Sequence, residues 1–220
     1  MSLARVIQTA EIALDPILDQ TGGVLYSAAE SVRPGDLYVM GLNPGGAGGL
    51  TIAEDLKALP ERTENAYVDE SWTNHTGTYQ PGEAPLQRRL SWLTDQLGYD
   101  LKYVCASNLI FTQSRSADGI DFPGYADICW PVHEQIISQV RPKLLLAFGN
   151  SNVSPYAYLR GRFAGREEDI PAGHGNWRVR GFNAALAGCD IFVAGLPHLS
   201  RYSPIGKTDI VKWLKEKLSA

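Results

Sequence analysis

Asp36-Leu-Tyr-Val-Met40 runs directly into Gly41-Leu-Asn-Pro-Gly45. The apolar run reads as a buried strand continuing to about Leu42. Asn-Pro-Gly reads as a tight turn at its C-terminal end, since Asn before Pro favours a turn. In open α/β sheets ligands gather outside the carboxyl ends of the strands. This turn therefore marks a candidate site as well as an element boundary. Gly45, Gly46, Ala47, Gly48 and Gly49 follow Pro44. Such small residues let backbone N–H groups approach an anion or a flat ring closely.

Outward from this stretch, helical and strand patterns alternate. Leu3, Val6, Ile7, Ala10, Leu14, Ile17 and Leu18 have helical spacing, and Thr21-Gly22-Gly23 stops that helix. Thr51-Ile-Ala-Glu54 is a capping box for a short helix ending at Pro60. Residues 61–84 show no period and carry Tyr67, Trp72, His75 and Tyr79. A loop of that length in a compact domain is often functional. Pro85 opens a helix with Leu86, Leu90, Leu93 and Leu97 on one face, and Gly98 ends it. Further strands are expected at Lys102–Phe111, Lys143–Phe148 and Asp190–Ala194. Further helices are expected at Tyr125–Val140, 152–160 and Lys207–Leu218. The Gly- and Arg-rich stretch 161–188 reads as irregular. The alternation predicts one α/β domain over residues 1–220: a three-layer α/β/α fold with a central, mostly parallel four-stranded sheet.

Composition agrees with a single globular unit. Hydrophobic residues make up 44% of the 220 and charged residues 20%, enough apolar surface for a sizeable core. The net charge of −4 excludes a non-specific DNA coater with a basic excess. The charge is uneven, however. Between Arg141 and Arg180 seven Arg/Lys face three acids, a local +4, sufficient to seat a few phosphates. Cys105, Cys129 and Cys189 are scattered and odd in number, without a C-x-x-C pair, which points to a reducing cytoplasmic setting. Arg5, Glu11 and Asp15 interrupt the opening apolar residues, unlike a secretory signal, and no run approaches a membrane span. No cofactor or metal is expected, and a monomer is the expected state. Cys129 and His133 share a helical face but lack a third ligand, so they read as packing. Gly45–Gly49 lacks the lysine of a P-loop, and Gly149-Asn-Ser151-Asn-Val lacks the last glycine of a nucleophile elbow.

Three of the four expected strands deliver polar residues near their C-terminal ends: Asn43, Asn108 and the segment Pro197-His198-Leu199-Ser200. Each alone has a structural explanation as a turn former, a loop tie or a surface histidine. Three at one sheet edge point to a site.

These residues, in this order, resemble the uracil-DNA glycosylase superfamily. Gly41-Leu42-Asn43-Pro44-Gly45 is similar to its first motif, in the Asn-Pro-Gly form of the mismatch-specific and single-strand-selective branches. Ala106-Ser-Asn108-Leu-Ile-Phe111 resembles the strand that supplies a uracil-reading Asn. Arg141–Gly149 resembles the third strand, and Leu196-Pro-His-Leu-Ser-Arg201 the second motif. The resemblance covers about residues 34–204. It departs where the usual His-Pro-Ser reads Pro197-His198-Leu199. Asn43 stands where the fastest branch has a carboxylate, and the cysteines do not match the four-cysteine branches that hold an iron–sulfur cluster.

What the resemblance implies is excision of uracil or a related deaminated base from DNA, after the base has been flipped from the stack. Asn43 and His198 would be the catalytic pair. Asn43 is an amide and no general base near neutral pH; it would orient the attacking water. His198, with backbone N–H groups after Pro44, would stabilise the departing anion. Gly41, Leu42, Pro44, Gly45 and Asn108 would line the base pocket, with Tyr79 (or Trp72 or Tyr67) covering the base. Pro197, Leu199, Ser200 and Arg201 would contact DNA, Leu199 as a wedge in the emptied stack, and Lys207 would reach a phosphate. Two other expectations stay open: a catalytically silent module of the same fold that binds nucleic acid or a nucleobase, and a hydrolase of small nucleosides or nucleotides, which the acidic charge also suits.

Overall fold

In chain order the elements are α1 (Ser2–Ala13), β1 (Leu37–Gly41), α2 (Ile52–Ala58), β2 (Thr73–Asn74), β3 (Gly77–Thr78), α3 (Pro85–Leu97), β4 (Cys105–Asn108), α4 (Gly124–Val140), β5 (Leu144–Phe148), α5 (Pro155–Arg162), β6 (Glu168–Pro171), β7 (Arg178–Leu186), β8 (Cys189–Leu196) and α6 (Thr208–Ser219). This computed structural model describes residues 2–46, 48–74, 77–114 and 121–219, so Ala47 and His75 lie outside the described residues.

The general α/β architecture is as expected, but the sheet is larger and mixed. Its strand order is β4-β1-β5-β8-β7-β6. The first four strands are parallel, and β7 and β6 extend them antiparallel to β8. The expectation of four strands fails in the stretch read as irregular. Along β7 Phe182, Ala184 and Leu186 are buried on one face and Val179 and Gly181 on the other, while Arg180, Asn183 and Ala185 are exposed, so no single apolar alternation runs the length of the strand. Its turn into β8 is the two-residue Ala187-Gly188, both left-handed at φ 49° and 77°. Paired left-handed residues make the tight hairpin turn that matches strand twist. Alanine rarely adopts that conformation, so the sequence carries no obvious turn signal.

Strand side chains alternate between two apolar clusters. Tyr38, Met40, Leu145, Ala147, Ile191 and Val193 pack with α1, α4 and α5. Leu37, Val39, Ala106, Leu144, Leu146, Phe148, Ala194 and Leu196 pack with α3 and α6. Both faces of the parallel strands are thus covered, which explains their continuous apolar runs. Each fully buried aliphatic side chain contributes about 1.5–3 kcal/mol. Two local signals act as expected at helix ends, whereas α1 stops at Ala13, ahead of Thr21, and a 3-10 turn over Asp15–Ile17 follows it. Thr51 and Glu54 form the reciprocal capping box of α2, and Gly98 closes α3 at φ 91°. No helix among the described residues is long and apolar enough to cross a membrane.

His133 of α4 is fully buried, with Nε2 3.0 Å from Leu109 O and Nδ1 3.0 Å from the Tyr38 hydroxyl. A carbonyl only accepts, so Nε2 carries the proton and Tyr38 donates to Nδ1. Tyr38 in turn lies 2.5 Å from Ser107 Oγ. Burial pushes the His133 pKa down to about 4. An unfolded histidine titrates near ~6.5. Between these values only the unfolded chain takes up the proton, so stability falls as pH falls through that window. The expected loss from pH 7 to pH 5 in urea unfolding is about 2 kcal/mol from this group alone. His198, also lowered, acts in the same direction. Equal stability at the two pH values would show that His133 accepts a proton in the folded state.

Candidate functional site

The parallel strands end at one edge, where the sheet register sets Gly41 opposite Asn108 and Phe148 opposite Leu196. Period two then puts Gly41, Asn108 and Phe148 on the face shared with Val39, Ala106 and Leu146. Gly41 is needed there for space. A Cβ on it would sit 2.2 Å from Asn108 Oδ1 and 2.8 Å from Phe148 Cζ. The amide and the ring edge therefore flank one point, with only a hydrogen atom of Gly41 between them.

Asn108 is 3% exposed, and its Nδ2 has no hydrogen-bond partner. It is the only orphaned buried side-chain polar atom among the described residues. Leaving such a donor unpaired costs ~1–3 kcal/mol. Phe148 beside it contacts Tyr67 edge-on at 6.1 Å and His198 at 5.7 Å. Tyr67 packs on Trp72 and Tyr26, both at 5.7 Å. An aromatic wall thus connects the orphaned amide to the histidine.

His198 follows β8 on a turn held by four residues. Arg201 N and Tyr202 N both donate to His198 O, at 2.9 and 3.0 Å. From α3, Arg89 Nη1 donates to Leu199 O at 2.7 Å and Ser200 O at 2.9 Å. Ser200 N donates to His198 Nδ1 at 3.2 Å, with Ser200 Oγ at 2.7 Å from the same nitrogen. A nitrogen that accepts from a backbone N–H carries no proton, so the neutral ring is protonated at Nε2. The residue as a whole is exposed, but its ring is crowded on the Phe148 side. That desolvation, and secondarily the charge of Arg201, hold its pKa below the usual histidine value. The ring is therefore a neutral Nε2–H donor at neutral pH.

Asn43, half-buried, donates from Nδ2 to Pro44 O at 2.8 Å and Ser114 Oγ at 3.0 Å. Its amide plane is thereby fixed, and no described residue donates to its Oδ1. Gln113 braces the glycine-rich loop by donating to Gly45 O at 2.7 Å, and Ser114 N donates to Pro44 O at 3.1 Å. A cavity of about 220 Å³ adjoins this loop, lined among others by Pro44, Gly49, Tyr26, Arg62 and Gln113. Asp55 also lines it, held by Val24 N at 2.9 Å and ion-paired with Arg62. Burial raises the Asp55 pKa against the opposing pull of Arg62, and the carboxyl serves as a structural tie. A larger cavity of about 490 Å³ lies between α3 and α6 and includes none of these residues.

The sheet edge gathers Asn43, Asn108 and the Pro197–Ser200 turn, but two expected roles do not match the side-chain positions. Leu199 is fully buried in the α3/α6 cluster, where an apolar side chain is more stable than in water, so it is not presented as a wedge. Leu42 packs with the opposite cluster, because the strand alternation turns it away from Gly41 and Asn108. Pro44 and Pro197 are buried, whereas Gly45, Ser200 and Arg201 are exposed. Tyr79 is half-buried beyond the β2–β3 hairpin, its N–H bonded to Trp72 O at 2.9 Å. The ring that flanks Gly41 together with Asn108 is that of Phe148, which had no expected role. Its position as the last residue of an apolar strand at the ligand edge was the available signal. No protein-family model and no curated protein matches this chain.

Proposed function

We propose that this protein is a monofunctional DNA glycosylase of the uracil-DNA glycosylase type, hydrolysing the N-glycosidic bond of uracil or a related deaminated base. The observation that carries the reading is the orphaned Nδ2 of buried Asn108, beside Phe148 and at the same edge as Asn43 and His198. An unpaired buried donor is destabilising unless a ligand completes it.

In this reading a flipped base stacks against the Phe148 ring, and Asn108 donates from Nδ2 to uracil O4 while Oδ1 accepts from N3–H. Cytosine presents the reverse pattern and leaves both groups unpaired. As the bond breaks, the base becomes an anion. The neutral His198 donates to it from Nε2, and because its pKa is lowered it stabilises by hydrogen bonding rather than by full charge. Asn43, its amide plane held by Pro44 O and Ser114, orients water with Oδ1 toward the cationic sugar. Exposed Arg201 and the nearby Lys207 serve phosphates.

The test is base release from oligonucleotides carrying uracil, hypoxanthine or xanthine, single-stranded and in mismatched duplexes, with abasic sites cleaved by hot alkali. Release of one base is expected, with Asn43→Ala slower by about a hundredfold through loss of water positioning. Binding of such DNA without release of any base would assign a silent binding module instead. Activity on free nucleosides alone would assign a small-molecule hydrolase.

A further inference from the structure

The β6–β7 hairpin reaches the same sheet edge as the candidate site, because β7 runs antiparallel to β8 and starts where β8 ends. Its tip is a tight loop closed by Ala172 N to Trp177 O at 2.8 Å and Trp177 N to His174 O at 3.1 Å. Gly173 and Gly175 are left-handed there, at φ 64° and 52°. The tip is tied to the His198 turn through one residue. Tyr202 binds His198 O with its N–H at 3.0 Å and donates from its hydroxyl to Ala172 O at 2.7 Å. Lys207 adds a bond from Nζ to Gly173 O at 2.5 Å.

Trp177 is 40% exposed on this pinned tip. Its ring lies 4.7 Å from the exposed His174 ring and 6.4 Å from Tyr202. Single exposed apolar residues are common and need no function. This one differs in sitting on a hydrogen-bonded turn, with the Lys207 ammonium bonded to Gly173 of that turn and Arg201 next in sequence to Tyr202, which ties the turn to His198. Among the described residues neither Arg201 nor Lys207 is paired with a carboxylate. A fixed aromatic face beside unpaired cations is the usual construction of a single-strand platform, in which a base stacks and the backbone follows positive charge. Bases inside a duplex have both faces covered by their neighbours and offer no such surface.

We propose that residues 172–177 form a stacking platform for an unpaired base of single-stranded DNA next to the target nucleotide, with Trp177 as the stacking face. This rests on the glycosylase reading for the identity of the nucleic acid. The Gly- and Arg-rich sequence of this hairpin carries no strand pattern, so the platform is a feature that only the sheet topology brings beside His198.

The experiment is fluorescence anisotropy with a short labelled single-stranded oligothymidylate on the full chain, alongside base release. Trp177→Ala is expected to weaken binding about tenfold, the worth of one stacked base. Trp177→Phe should retain most of the affinity, and Tyr103→Ala, exposed where the chain enters β4, should bind as the parent does. Loss of tryptophan-fluorescence quenching on oligonucleotide addition in Trp177→Phe would place the base at this ring directly. Binding unchanged in Trp177→Ala, or no binding by the parent, overturns the platform. Base release that is indifferent to Trp177 overturns the platform alone. Trp177-dependent binding without release of any base overturns the glycosylase reading alone.

Discussion

Asn108→Ala is expected to abolish base release while leaving the protein as stable as the parent, within about 1 kcal/mol. The two effects separate because Asn108 Nδ2 is buried and unpartnered. Removing it relieves ~1–3 kcal/mol of desolvation, which offsets the small cavity left behind. The same deletion removes the donor and acceptor that read the base. A site built to hydrogen-bond its substrate loses on the order of 10²-fold or more when those groups vanish. Urea unfolding and base release on one preparation decide the matter. If both fall together, the amide is a structural tie. If neither changes, the site lies elsewhere. Gly41→Ala offers a check from the other side of the same point, because its Cβ would meet Asn108 Oδ1 and the Phe148 ring. It should displace the amide without removing it and so impair release through geometry.

Leu199→Ala is expected to destabilise the protein by about 2–5 kcal/mol, the usual cost of truncating a fully buried leucine. Leu199 is 0% exposed and belongs to the α3/α6 cluster. Arg89 holds the carbonyls of Leu199 and Ser200, which keeps the side chain turned inward. A wedge that contacts only DNA would give the opposite result, with unchanged stability and weakened duplex binding. Denaturant midpoints with an unchanged slope, measured beside duplex affinity, distinguish the two. An unchanged midpoint would mean that this turn opens readily and that Leu199 spends its time outside the core.

Several features were legible from short stretches alone. The capping box Thr51/Glu54 and the Pro85 and Gly98 helix limits depend on neighbours within four residues, and the structure has them as read. The four parallel strands were legible too, although the second is shorter than its expected span, Cys105–Asn108 rather than Lys102–Phe111, because Leu101–Tyr103 form a 3-10 turn. Asn43, Asn108 and His198 were identifiable as strand-end polar residues. Phe148 was not, since a phenylalanine closing an apolar strand looks like any core residue. β6 was missed because it is a short, largely exposed edge strand, and β7 because it mixes exposed and buried residues and turns into β8 through Ala187-Gly188, with an alanine in a conformation alanine rarely takes.

The sequence by itself determined the α/β alternation, the helix ends and the polar strand termini, because hydrophobic period and turn chemistry act over a few consecutive residues. Only the tertiary structure decided that Asn108 is left with an unpaired donor beside Phe148, and that His198 is held as an Nε2–H donor. The same is true of Leu199 and Leu42 facing the core and of Trp177 standing beside the His198 turn. Those outcomes depend on strand register and on packing between residues tens to more than a hundred positions apart, and no local pattern encodes such distances.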